Sequence, residues 1–153
     1  METQKEESYW QIREASWQEG AEYSEYRAML QINEAVKNKD WQKSQDLISE
    51  FIDNMEAFQR FRIKDCLKNL MYWRIRWYAQ AEVRTGETAI EIFKNIDEFG
   101  YIFYENPKFG REYIDSIWDE SYKDAVDLAK IFTTEIPEKL TWKDIFEFDY
   151  PTF

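Results

Sequence analysis

Basic side chains interleaved with aromatic ones are the most chemically suggestive feature of this 153-residue sequence. Residues 60–84 contain seven basic and two acidic residues, a net charge of +5, whereas residues 1–59 and 85–153 carry −7 and −9. Arginine and lysine hold phosphate oxygens, and aromatic rings stack on bases. The candidate contacts for an anion or a nucleic acid are Arg60, Lys64, Lys68, Arg74 and Arg76. The alternative, which we favour, is that these charges are matched within the protein.

Carboxylates form a second candidate surface. After Pro107 they recur on one half of a helical pattern, opposite an apolar half. The acidic residues are Glu112, Asp115, Asp119, Glu120, Asp124 and Asp127. Such oxygens bind hard cations, which makes a carboxylate–metal enzyme a third hypothesis. Acidic residues on an amphipathic helix are more often a solvated side, so we expect an acidic interaction face and neither a metal ion nor another cofactor.

The composition removes the common catalytic groups. The chain has no histidine, so Ser-His-Asp and Cys-His catalysis and every histidine-containing metal site are excluded. Hydroxyl groups then have no obvious activating base, and we expect a protein that is not an enzyme. The one cysteine, Cys66, lies on the apolar side of a predicted helix and is expected to be a small buried hydrophobe, as suits a reducing cytoplasm.

The charge and the apolar pattern also predict the compartment. The N-terminus, METQKEES, is charged and has no apolar run, and no stretch reaches the roughly 20 apolar residues that span a bilayer. We therefore expect a cytoplasmic protein without a signal peptide or a membrane partner. A net charge of −11 argues against general attraction to nucleic acid and favours a basic protein partner.

Helices must position these side chains, because four glycines and three prolines are too few for a turn-rich β fold. The periodicity predicts an all-α, single-domain bundle over 1–153 around one long central helix, about 58–84. Gly86 is its expected C-terminal cap. One predicted apolar side comprises Ile52, Met55, Ile63, Cys66, Leu70, Trp73, Trp77 and Ala81, and the other Phe58, Phe61 and Tyr72. Two apolar sides predict an interior helix.

The remaining segments are predicted to surround that helix. Residues 5–18 and 21–37 read as helices, with 1–19 loosely attached, and the apolar side of 21–37 includes Tyr26, Met29, Leu30 and Val36. Asp40 is a credible N-cap, and 41–57 either join the central helix or bend near Asn54. A helix over 87–105 contains Gly100, which suggests a close helix crossing.

Further signals lie in the C-terminal third of the chain. Asn106 and Pro107 predict the start of a helix that reaches about Phe132. Thr141 to Asp144 resembles a capping box before a short final helix. An aromatic tail follows that helix, and we expect the tail to dock on the bundle.

Four short motifs point to a known family. Asn106-Pro107-Lys108-Phe109 is similar to a Ser-Pro-(Ser/Ala)-Leu helix start, and residues 122–129, YKDAVDLA, to a Tyr-x-x-Ala-(Arg/Val)-x-Leu-Ala helix. Residues 140–151 resemble a closing Tyr-Thr-Leu-Glu-Gln-Leu-Leu-Asp-Glu-Asp-Phe-x-Pro motif. Residues 67–73 resemble Leu-x-His-Leu-Leu-Lys-Trp, with Asn69 in place of histidine. Together, over about 20–151, they resemble the bacterial family catalogued as domain of unknown function twenty-nine.

The resemblance implies a helical fold and leaves the function open. From the residues we expect a non-enzymatic helical protein that binds a protein partner or self-associates, because tryptophan and tyrosine are common interface anchors. The alternative is a nucleic-acid-related role. The acidic segments would then imitate DNA and block a basic protein, or the basic helix would bind an anion directly.

Overall fold

The computed structural model of the protein describes residues 25–150, and these form α-helices and short 3-10 helices with no strand among them. The predicted all-α fold with one long helix is therefore confirmed. The helix expected over 5–18, the beginning of the helix expected over 21–37, and residues 151–153 of the aromatic tail lie outside the described residues.

The chain divides into two compact units, residues 1–56 and residues 57–153. The division falls within the longest helix, and the predicted single domain stays a prediction. In the first unit, α1 (Glu25–Lys37) is followed by a three-residue turn and by α2 (Trp41–Ala79). A connection this short between two helices produces an antiparallel αα-hairpin. We use the name hairpin for α1 and residues 41–56 of α2.

The turn of the hairpin is closed by backbone hydrogen bonds and a side-chain cap. Lys39 has the left-handed φ of 57°. Its N–H donates to the carbonyl of Val36, and the N–H of Asp40 donates to the carbonyl of Ala35 at 3.0 Å, which is the Schellman pattern. The Asp40 carboxylate accepts from the N–H of Lys43 at 3.1 Å, so the predicted N-cap is confirmed.

Helix α2 differs from its prediction at both ends. It begins at Trp41, so residues 41–57 are continuous with the central helix and do not bend near Asn54. It ends at Ala79, short of 84, because Gln80 has extended dihedral angles and a 3-10 turn, Ala81–Val83, follows. The side chain of Arg84 donates to the carbonyls of Trp77 and Tyr78 at 2.7 and 3.0 Å, which satisfies two free acceptors at this helix end.

The assignment of Gly86 as a C-terminal cap was wrong. Gly86 is the first residue of α3 (Gly86–Glu105), and Thr85 is the N-cap, accepting from the N–H of Thr88. The hydroxyl of Thr85 accepts a hydrogen bond from the first turn of α3, so Thr85 and Gly86 begin this helix and do not cap the preceding one.

The single helix predicted over 107–132 was also wrong. A 3-10 turn, Pro107–Phe109, precedes α4 (Arg111–Ser116), and α5 (Trp118–Ala129) follows. Gly110 is extended (φ −77°, ψ −156°), and Ile117 has φ −105° and ψ 3°. A Cβ on Gly110 would lie 2.7 Å from Cε2 of Phe103, so only glycine lets the chain pass the Phe103 ring here without displacing it. The short α6 (Trp142–Phe146) carries the predicted capping box.

The second unit has a continuous apolar core. From α2 it receives Ile63, Leu67, Leu70, Met71 and Ile75, all at most 1% exposed. Trp77 is buried, and Trp73 packs against the core, which confirms the side on which both were placed. The predicted second side was wrong in part: Tyr72 is buried, whereas Phe58 and Phe61 are more than half exposed. No described helix is present to cover the latter two.

The aromatic tail docks on this core as far as it is described. Tyr150 is 2% exposed, and its ring centroid lies 5.2 Å from that of Trp77 and 4.7 Å from that of Phe148. Burial raises the pKa of the Tyr150 hydroxyl to about 12, since the phenolate would lose its hydration. Tyr150 therefore belongs to the core and Phe148 packs against it, so the tail docks on the bundle as the sequence predicted.

Candidate interaction surfaces

Two of the five basic candidates are neutralised by carboxylates. Lys64 Nζ, on α2, lies 2.5 Å from a carboxylate oxygen of Glu120, on α5. This hydrogen bond is the main reason why the pKa of Lys64 is raised. Lys68 Nζ lies 2.8 Å from the carboxylate of Asp65, one turn away on the same helix. Both contacts support the interpretation that the basic residues are matched internally.

Two others use their guanidinium groups to fix neighbouring segments. Arg74 Nε donates to the carbonyl of Asp144 at 3.0 Å, and its guanidinium carbon is 3.7 Å from the ring centroid of Phe148. Arg76 donates to the hydroxyl of Tyr72 and to the side-chain oxygen of Gln80. These cations thus contact rings and neutral acceptors of the protein itself, so a base or phosphate would have to displace those contacts.

The fifth basic candidate, Arg60, is exposed. From Arg60 to Arg76 the candidates extend over about 24 Å of helix. The structure therefore does not gather the five side chains around one point, and direct anion binding stays a prediction.

The acidic candidates are all exposed, but they lie on two helices. Glu112 and Asp115 belong to α4, and the other four belong to α5. Arg111 is 3.1 Å from Asp115, and Lys130 is 3.9 Å from Asp127. Within residues 25–150, no group of acidic, histidine or cysteine side chains is arranged to hold a metal ion. The carboxylates form a solvated, partly neutralised surface, and its role as an interaction face stays a prediction.

Cys66 is buried in the core, as predicted, with 8% of its surface exposed. Burial is the main reason why the pKa of its thiol rises to about 12, with the carboxylates of Glu98 and Asp65 adding to the effect. The reactive form of cysteine is the thiolate. At neutral pH, Cys66 is therefore a protonated apolar side chain without nucleophilic character.

A small aromatic cleft of about 270 Å³ lies beside α6. The Trp118 and Trp142 rings stack at 6.3 Å, and the guanidinium of Arg111 lies 3.8 Å from the Trp142 ring centroid. Trp118 Nε1 donates to the carbonyl of Leu140. Arg111 therefore already provides the cation that such an acidic and aromatic lining would attract.

The hairpin is the region that departs most from the sequence prediction. Among its described residues only Ala35 and Ser44 are buried, and both are small. The hydroxyl of Ser44 donates to the carbonyl of Asp40 at 2.7 Å. Ile32, Leu47 and Phe51 are half-buried, and the other large apolar side chains, which the sequence assigned to a core, are exposed: Tyr26, Met29, Leu30, Val36, Trp41, Ile48, Ile52 and Met55. The amphipathic pattern was read correctly, but the described residues do not bury its apolar side.

Most of these side chains share one side of the hairpin. On both helices the exposed apolar stripe lies about 20–120° further round the helix than the buried Ala35 or Ser44, in the same rotational sense. Because the two helices are antiparallel, equal rotations bring both stripes to the same side. We name this set the hairpin face: Met29, Val36, Trp41, Ile48, Ile52 and Met55.

The outer side of α3 is a smaller exposed apolar surface. Ile90, Tyr101 and Tyr104 are 55%, 56% and 85% exposed. Gly100 lies between them, and a Cβ there would meet nothing within 4 Å, so the close helix crossing expected at Gly100 was wrong for this chain. No packing contact therefore requires glycine at this exposed position.

A family model identifies the chain. The model of the domain of unknown function DUF29 matches residues 23–150, which is most of the chain. The protein belongs to the DUF29 family. The DUF29 match covers α1 to α6 and so includes the hairpin as well as the core. No curated protein and no solved structure matches the chain. None of the described helices has both the length and the apolar character needed to cross a bilayer.

Proposed function

We propose that this DUF29 protein is a non-enzymatic, cytoplasmic interaction protein that binds a protein chain through the hairpin face. The supporting observation is the exposure of six large apolar side chains on one side of a hairpin whose own contact buries only Ala35 and Ser44. Contiguous exposed apolar surface of this kind marks interaction sites in soluble proteins. The single cysteine, Cys66, cannot form a disulfide within the chain, which supports a reducing compartment.

The energetic argument is the cost of leaving this surface in water. Each large apolar side chain contributes about 1.5–3 kcal/mol when fully buried, and those of the hairpin face are 37–61% exposed. A protein chain that covers the hairpin face gains that free energy, and the flanking helices provide the polar rim that interfaces have. The exposed carboxylates of α4 and α5 argue against nucleic acid as the partner.

The test is a double substitution on the hairpin face, Ile48→Glu with Ile52→Glu. Its matched control is Gln31→Glu with Asn38→Glu, which adds the same charge to exposed positions on the opposite side of the hairpin, outside the hairpin face. Tagged chains of each form are co-expressed with untagged chain and also mixed with source-cell extract. The polypeptides retained in each case are then compared.

We expect the wild-type chain and the control variant to retain a second polypeptide in stoichiometric amount, and the hairpin-face variant to lose it. All four positions are exposed in the structure, and surface substitutions usually change the free energy of unfolding by less than about 0.5 kcal/mol. Equal melting temperatures of the two variants would show that neither is unfolded. Retention by the hairpin-face variant equal to that of the control would contradict the proposal.

A further inference from the structure

We infer that the hairpin face of this protein binds the hairpin face of a second copy, antiparallel and related by a twofold axis. This inference rests on the proposed function and names its partner. Two hairpins joined in this way form a four-helix bundle, in which short-loop antiparallel hairpins pack around a shared apolar centre. Because the same surface is used twice, the arrangement closes as a dimer and leaves no copy of the hairpin face open.

The size of the hairpin face fits such a dimer. Its six side chains, about half exposed, present roughly 500–600 Å² of apolar surface when a large side chain is taken as about 150–250 Å². A standard interface buries about 800 Å² per partner, of which a little over half is apolar. The hairpin face therefore has about the apolar area that a stable dimer needs, without any contribution from other helices.

The charges at the two ends of the hairpin select the antiparallel arrangement. Near the turn, residues 34–43 contain three lysines and two acidic residues, a net charge of +1. At the opposite, open end, residues 25–27 and 53–56 contain three acidic residues and one arginine, a net charge of −2. When two hairpins pair antiparallel, the turn of one copy meets the open end of the other, so the net charges are opposite. A parallel pair would bring ends of like net charge together, which is unfavourable.

The shape of the hairpin contact agrees with this pairing. Ala35 and Ser44 are 3% and 4% exposed, so the close contact at the turn end is made by small residues. The large side chains of both helices are left on one side, which is the arrangement of half a bundle. Each half needs a complementary apolar surface, and an identical hairpin provides one of equal length.

The experiment uses the purified full-length chain in sedimentation velocity from about 1 to 100 µM at low salt. A dimer whose fraction rises with concentration is expected for wild type and for Gln31→Glu with Asn38→Glu. Ile48→Glu with Ile52→Glu should sediment as a monomer. A wild-type monomer at every concentration would overturn the inference, as would a dimer that survives the hairpin-face substitutions.

Charge reversal tests the antiparallel arrangement. Variant one carries Lys37→Glu and Lys39→Glu, and variant two carries Glu25→Lys and Asp53→Lys. Each alone sets like charges together, so the dissociation constant should rise about tenfold or more. An equimolar mixture should dimerise as well as wild type, because opposite charges then meet at both ends. Failure of the mixture to recover would overturn the antiparallel pairing.

The two sets of results separate this inference from the proposed function. The purified chain could be a monomer and still retain a different protein from the extract, with retention that depends on Ile48 and Ile52. In that case the inferred partner, a second copy, is wrong and the proposed function stands. If the variants change neither retention nor sedimentation, both fail.

Discussion

The hairpin and the second unit are built from the same kind of amphipathic helix but use it in opposite ways. In the second unit, nineteen apolar side chains are buried in one cluster, contributed by α2 to α6 and the tail. In the described hairpin only Ala35 is a buried apolar residue. The difference teaches that an apolar stripe shows that a helix needs a partner, but does not show whether that partner belongs to the same chain.

Within α2 the contrast involves residues of one type. Ile63 and Ile75 are at most 1% exposed, whereas Ile48 and Ile52 are 42% and 51% exposed. Residue type and helical propensity are the same at all four positions. What differs is the number of surrounding elements: several helices and the tail meet the second unit's part of α2, whereas the described hairpin offers only α1.

The largest expected difference between the two regions comes from a matched pair of substitutions. Leu67 is 0% and Leu30 is 48% exposed. Leu67→Ala should lower the free energy of unfolding by about 2–5 kcal/mol, because it removes core contacts and leaves a cavity. Leu30→Ala should change it by no more than about 0.5 kcal/mol. Urea unfolding of both variants at one low protein concentration measures these free energies. A decrease above about 2 kcal/mol for Leu30→Ala would show that Leu30 is covered within one chain.

The second prediction concerns alkaline pH and the core alone. Burial raises the pKa of Cys66 from 9.0, and that of Tyr150 from 10.0, to about 12. The unfolded chain loses these protons at the ordinary pKa values while the folded chain keeps them. The stability is therefore complete below about pH 9 and is lost as the pH rises towards 12, by about 1.4 kcal/mol per pH unit for each group.

Urea unfolding at pH 7, 9 and 10 measures this loss, and Cys66→Ala provides the control. The smaller side chain lowers the free energy of unfolding of this variant by the same amount at every pH. That free energy should therefore be the same at pH 8 and 9.5, whereas that of wild type should decline between these values. An identical decline in the variant would assign the alkaline sensitivity to other groups. The hairpin contributes neither of these two buried acids, so its helicity should not share this pH dependence.

The third prediction addresses the turn, which holds the hairpin together in place of a core. Asp40→Ala removes the cap on α2 and should cost about 1 kcal/mol. Lys39→Gly should stabilise the hairpin by up to about 1 kcal/mol, because a lysine at φ 57° is strained and glycine is not. Amide hydrogen exchange in α1 reports both effects locally. Equal protection in wild type and both variants would show that the turn does not limit hairpin stability.

The smallest effect is expected at an exposed ion pair. Lys64 and Glu120 have side chains that are 38% and 62% exposed. Glu120→Gln should therefore change the free energy of unfolding by less than about 1 kcal/mol, and by less still in 0.5 M salt, which screens the pair. Thermal unfolding at low and high salt measures the effect. A cost above 2 kcal/mol would show that the pairing between α2 and α5 supports the core instead of only matching charge.

The local features of the fold could be predicted because they depend on neighbouring residues. The Asp40 cap, the Thr141 capping box and the burial of Cys66 each follow from a few positions on one helix. The interruption of the helix at Gly110 could not be predicted from the periodicity, which continues across it. The space at Gly110 is limited by the ring of Phe103, which lies on α3, and the periodicity of residues 107–132 carries no information about that contact.

The candidate surfaces divide in the same way. The acidic residues were expected to be exposed, and all six are. The hairpin face was missed, because the same stripe suits a core and an interface. A signal was nevertheless present: the turn-proximal contact is made by the small residues Ala35 and Ser44, and the large ones fall to one side of them. The pattern in one sequence describes the stripe itself and carries no information about the position of whatever covers it.

Cys66 has a practical consequence for measuring the hairpin. It is the single cysteine of the chain, and its thiol is buried and protonated. A cysteine introduced at an exposed position such as Ser49 would therefore react with a maleimide spin label well before Cys66, without removal of the native thiol. Distances between two such labels on separate molecules would then report directly how the copies are oriented.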